Sequence, residues 1–125
     1  MIRGIGVDLV MIERIRAMRA RHGDRLARRL LAEAELADYT GAPDRDRFLA
    51  KRFAAKEAFA KAVGTGLRAP VSLSGIRVDH DPLGRPDFGY APELDAWLAA
   101  RGIGRVHLSI SDEQEHVVAF AVAES

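Results

Sequence analysis

The chain has 125 residues, of which 48% are hydrophobic, 30% charged and none cysteine. That is enough apolar material for one core, and the absence of thiols excludes disulfides and thiolate metal sites while fitting a cytoplasmic setting. A net charge of +1 and 6% aromatic residues argue against a nucleic-acid binder, which needs a basic stripe and stacking platforms, and no apolar run is long enough to span a membrane.

Residues 2–10, "IRGIGVDLV", are β-branched and glycine-rich and predict a buried strand ending near Asp8. The run is broken by Asp8 and lacks a small-residue cleavage site, so it does not read as a secretory leader. Residues 12–21 predict a short helix with Ile12, Ile15 and Met18 on one face and Arg14 and Arg21 off it. Gly23-Asp24 ends that helix and caps the next, from about Arg25. A further helical piece covers 33–39, and 40–46 reads as a loop with Asp44 or Asp46 as N-cap. The long helix runs from about Arg47 to Val63, closed by Gly64.

Residues 75–81 alternate like a strand, "PLGRP" is a turn, and "DFGYA" returns, which predicts a hairpin. Pro92-Glu93 opens a helix stopped by Gly102. Residues 106–111 and 117–124 are two more strands, joined closely enough to pair antiparallel. With no repeat or linker, the pattern predicts one α+β domain over 1–125, a small curved antiparallel sheet packed on a long helix. A domain of this size leaves much of its surface unburied, so association with copies of itself would help it.

Four features could carry chemistry. Asp8 ends an apolar strand, where a carboxylate needs a cation or N–H donors, although capping the next helix would also explain it. Phe53, Glu57 and Lys61 stand four residues apart on one helix face. That spacing fits a surface ion pair, and equally a carboxylate beside a phosphate-binding lysine; two carboxylates with water and phosphate oxygens suffice for Mg²⁺. Gly64-Thr65-Gly66 lets a backbone approach a ligand, but at the dipole end that disfavours anions, so a plain turn is the simpler reading. His107 shares a strand face with Ser109 and Ser111, a face turned to solvent or to a pocket. His22, His80 and His116 have no zinc spacing. Seven arginines against four acids between Glu13 and Leu36 suit an acidic partner.

"GIGVDLVMIERI", "FLAKRFAAKEAFAKAVGTGL" and "VHLSIS", in that order across nearly the whole chain, resemble the holo-acyl carrier protein synthase family, the small bacterial type of 4′-phosphopantetheinyl transferase. The resemblance implies transfer of 4′-phosphopantetheine from coenzyme A to a serine of apo-acyl carrier protein, with release of adenosine 3′,5′-bisphosphate and a requirement for Mg²⁺. Asp8 and Glu57 would be the metal ligands. Lys61 would reach the pyrophosphate and His107 the coenzyme A phosphates. Gly64, Thr65 and Gly66 would lie along the coenzyme A site, and Gly84, Arg85 and Pro86 near its adenine end. Glu57, or a water on the metal, would be the base for the serine proton. Arg14, Arg21 and Arg25 would guide the acidic carrier, with Ile15 and Met18 giving apolar contact, while Arg16 and Arg19 read as solvated. The family is homotrimeric, with coenzyme A between subunits. Carriers of fatty acid and polyketide synthesis both fit.

Two residues depart from the family pattern. Met11 stands where many members have an acid, which removes an outer-sphere contact to the metal, and Asp112 stands where histidine is frequent, which adds negative charge near the phosphate end. Two other functions use the same residues: a binding module for an acidic partner, and a Mg²⁺-dependent phosphohydrolase with water as nucleophile.

Overall fold

β1 (Ile2–Met11) runs directly into α1 (Ile12–His22), and Gly23, at φ 59°, turns the chain into α2 (Asp24–Leu30). A 3-10 turn at Glu33–Glu35 leads to α3 (Leu36–Gly41) and then to the long α4 (Arg45–Ala62). β2 (Ile76–His80) and β3 (Pro86–Tyr90) form a hairpin, followed by α5 (Pro92–Ala100), β4 (Arg105–Asp112) and β5 (His116–Glu124). The computed structural model describes all 125 residues.

The class is α+β, as the sequence predicts, but the strands form two antiparallel sheets rather than one. β5 lies between β1 and β4, while β2 and β3 pair only with each other. The reason is that α4 is covered from several sides. The three-stranded sheet meets it at Ala58 and Ala62, and the hairpin meets it at Phe59, whose ring lies 5.1 Å from that of Phe88.

Glycine makes the first of these contacts possible. A Cβ on Gly4 would lie 2.0 Å from the Ala62 carbonyl oxygen, and one on Gly6 would lie 2.0 Å from that of Ala58. No side chain fits there, so β1 rides directly on the helix backbone. β5 adds Ala119, Ala121 and Ala123, all fully buried. The small residues of three elements bring the sheet to the helix.

Several boundaries and caps differ from expectation. β1 continues past Asp8 to Met11, and only one of its faces is buried. Gly6 and Val10 face the core, while Ile5 and Leu9 remain 61% and 66% exposed. An antiparallel sheet covered on one side has this pattern. Asp44 is the N-cap of α4, its side chain accepting from the Arg47 N–H at 3.1 Å. Asp46 therefore lies inside the helix, paired with Arg19 at 2.7 Å and Arg16 at 3.4 Å. Asp24 is no cap either: it sits in the first turn of α2, where its Oδ1 accepts from the Tyr39 hydroxyl at 3.0 Å.

Candidate active site

Asp8 points to the same side of β1 as Gly4 and Gly6, and the close approach at those glycines carries it to the last turns of α4. There the Lys61 ammonium donates to Asp8 Oδ1 at 3.2 Å and to the Val7 carbonyl at 2.9 Å. Glu57 lies one turn back on the same face of α4. Burial raises its carboxyl above the ordinary value of 4.5, the negative charge of Asp8 acts in the same direction, and Lys61 and Arg14 oppose both. Two carboxylates on separate elements thus converge, with a lysine and an arginine beside them. No third histidine, cysteine or carboxylate completes a metal-binding group.

Gly64 and Gly66 follow on the same helix end, at φ 86° and 65°. Their N–H groups donate back to Lys61 and Ala60. A Cβ on either would meet open space, so the backbone conformation, not crowding, calls for glycine.

The other predicted residues lie elsewhere in the chain. Gly84, Arg85 and Pro86 belong to the β2–β3 turn, where Asp81 Oδ1 accepts from the Leu83 and Arg85 N–H groups at 2.9 Å each. Neighbouring His80 is held below its ordinary value by burial and then by the charges of Arg52 and Lys51. The turn is therefore beside the N-terminal half of α4, about 15 Å along the helix from Lys61 at 1.5 Å per residue. His107 is on the opposite side of the three-stranded sheet from Asp8. Its neighbours Val106 and Leu108 pair with Ala123 and Ala121 over α4, whereas His107 Nε2 shares a 2.7 Å hydrogen bond with Glu124 Oε1 on the outer face.

Among the partner-binding candidates, Arg14, Arg21 and Arg25 are exposed. Ile15 is not available to a partner: at 1% exposure it packs in the core, because α1 turns its apolar face inward. Arg16 and Arg19 are not simply solvated, since Asp46 takes both. Met18 lines a groove of about 460 Å³ with Leu26, Leu30, Phe53 and Leu73, rimmed by Arg25 and Arg29. Leu73 was invisible to sequence periodicity because it lies in a loop; Phe53 carried the signal of its four-residue spacing from Glu57.

The two departures also find places. Met11 is the N-cap residue of α1 and makes no side-chain capping bond, which an acid would supply. Asp112 is paired with Arg47 at 2.8 Å and Lys51 at 3.3 Å. Burial pushes its carboxyl up, but these cations outweigh burial and hold it below the ordinary 3.8. Its charge is largely spent on closing the β4–β5 turn against α4.

Residues 4–121 match the model of the 4′-phosphopantetheinyl transferase superfamily, and the chain belongs to that family. It is 59% identical to a holo-[acyl-carrier-protein] synthase of Laribacter hongkongensis over 99% of both chains. The crystal structure of a holo-[acyl-carrier-protein] synthase from Neisseria meningitidis superposes with a TM-score of 0.98, at 51% identity and full coverage of both chains. A Bacillus anthracis holo-(acyl-carrier-protein) synthase, crystallised in complex with CoA (3′,5′-ADP), superposes with a TM-score of 0.84 at 39% identity, covering 100% of this chain and 98% of that one.

Proposed function

We propose that residues 1–125 form a single transferase domain that moves the 4′-phosphopantetheine group of coenzyme A onto a serine hydroxyl of apo-acyl carrier protein. Adenosine 3′,5′-bisphosphate is the other product. The observation that carries the site assignment is the meeting of Asp8 with Lys61 and Glu57 across β1 and α4. Family membership and full-length relatives carry the reaction class.

The donor set fits Mg²⁺. Asp8 and Glu57 offer only oxygens, and no hydrogen bond offsets the burial of the Glu57 carboxyl beside a second negative charge. A hard divalent cation that keeps several waters needs no more protein ligands than these two. When bound, Mg²⁺ would offset charge on the pyrophosphate oxygens as the bond to the leaving phosphate breaks. Lys61, held by Asp8 and the Val7 carbonyl, adds a second positive charge at the same place. Glu57, or a water that Asp8 or Glu57 holds on the metal, would take the serine proton.

One chain holds only part of the coenzyme A contacts. His107 lies on the outer sheet face, and the Gly84-Arg85-Pro86 turn lies beside the far half of α4. A homotrimer with coenzyme A between subunits accounts for both, because it sets one subunit's outer face against its neighbour. The apolar row of Ile5, Val7, Leu9, Met11 and Phe120 on that face is the surface such an assembly would cover. The exposed arginines of α1 and the groove between α1, α2 and α4 receive the acidic carrier. A cytoplasmic setting suits the cysteine-free chain.

The test is incubation with apo-carrier, coenzyme A and Mg²⁺, with and without EDTA, followed by mass spectrometry of the carrier. The expected result is a gain of one phosphopantetheine, about 340 Da, only where Mg²⁺ is present. Release of adenosine 3′,5′-bisphosphate without any carrier would favour a hydrolase instead.

A further inference from the structure

Lys56 precedes Glu57 in the sequence yet has no exposed surface. A buried ammonium is expensive to desolvate and needs every proton satisfied. Its Nζ donates to Glu35 Oε1 at 2.5 Å, to the Leu30 carbonyl at 2.9 Å and to the Leu73 carbonyl at 2.9 Å. Glu35 is buried as well. It also accepts from Arg52 Nε at 2.9 Å and from the N–H groups of Ala32 and Val78. No buried side-chain nitrogen or oxygen is left without a partner.

The two carbonyls are the informative contacts. Leu30 ends α2, and Leu73 lies in the loop before β2. No other side-chain donor reaches either carbonyl. Both residues line the apolar groove, as does Phe53, one turn before Lys56 and Glu57 on α4. A single ammonium under the groove therefore holds the backbones of two of its walls to the helix that carries Glu57. Replacing the whole buried ion pair, and not Lys56 alone, by apolar side chains of similar volume is often neutral or stabilising, so stability alone does not call for an ion pair here.

We infer that Lys56 is a positioning residue for the acceptor: by tying the Leu30 and Leu73 carbonyls together, it sets the groove to receive an apolar side chain of an acidic carrier protein next to Glu57. This rests on the reading that the groove is where the carrier docks. Lys56 touches neither coenzyme A nor the serine, so its effect falls on acceptor binding.

The test compares steady-state kinetics of the full chain with Lys56→Met and with the double variant Lys56→Met/Glu35→Gln. The double variant removes one charge of each sign and leaves the network's net charge unchanged, which protects folding if the single variant fails. Circular dichroism and thermal melts establish folding. The expected result in a folded variant is a KM for the carrier raised about 10-fold, with kcat and the KM for coenzyme A changed less than about 2-fold. Equal changes in both KM values, an unchanged carrier KM, or loss of folding in both variants would overturn the assignment, because each makes Lys56 a stability residue only. Wild type that binds coenzyme A yet never modifies a carrier would instead overturn the transferase reading itself.

Discussion

Glu57 shows how one side chain is tuned by what surrounds it. Burial and then Asp8 raise its carboxyl from the ordinary 4.5, so the folded protein holds a proton there more tightly than the unfolded chain does. The cost of holding it ionised is absent below about pH 4.5, where both states are protonated. It appears as pH rises and is complete above the raised folded value. Glu57→Gln should therefore raise the melting temperature of metal-free protein at neutral pH, with the gain fading as pH falls towards the ordinary carboxylate range. The same variant should lose transfer activity by about 10²-fold or more, as expected for removing a proton acceptor. Melts in EDTA across pH, beside a carrier-modification assay, check both halves. A variant that is fully active would remove Glu57 from the site. Asp112 is the opposite case. It is held below 3.8 by Arg47 and Lys51, so its contribution is present above that value and fades as pH falls through the lowered one. It is not the stray negative charge that its position in the sequence suggests.

At the scale of elements, the pairing of β1 with α4 decides where the chemistry sits. Asp8 reaches Lys61 because Gly4 and Gly6 let the strand lie on the helix backbone. Gly6→Ala puts a methyl 2.0 Å from the Ala58 carbonyl, and neither partner is a flexible side chain that can step aside. The strand must lift. The expected cost is about 2 kcal/mol of stability, as for overpacking in a core. Activity should fall further than stability does, since Asp8 moves with the strand. Denaturant titration and transfer assays on the same preparation separate the two effects. Stability and activity that both match wild type would mean that the site tolerates a more distant β1. α4 makes the complementary point. Its sequence is dense in cations, yet Arg52 and Lys56 are buried because Glu35 lies between them.

Over the whole molecule, the outer face of the three-stranded sheet is the unfinished part. It carries an apolar row on β1 and β5 and the His107–Glu124 pair that bridges β4 and β5. In an isolated chain, Ile5→Glu would be a surface change worth no more than about 0.5 kcal/mol. In the proposed trimer it places a charge in an apolar interface. Sedimentation should then show a smaller particle, and transfer activity should fall with it while the monomer remains folded. A variant that keeps the wild-type mass and activity would place the interface on another face.

The sequence by itself determined the elements, the class and the family. Period and punctuation marked the β1 motif, the long helix, the hairpin and the final strand pair, because these signals are local: glycines, caps and alternation act within a few residues. It also singled out Asp8, Glu57 and Lys61, through one motif and a four-residue spacing. Only the tertiary structure decided which candidates meet. Asp8 and Lys61 do, because two glycines bring distant segments into contact. His107 and the Gly84-Arg85-Pro86 turn stay apart within one chain, since a sheet face and a helix length intervene. The pairing of Asp112 with Arg47 and the closing of Lys56 on Glu35 likewise depend on partners 65 and 21 residues away, and the burial of Ile15 depends on the core it joins. Contacts between segments so far apart are set by how the layers pack, and no local spacing records them.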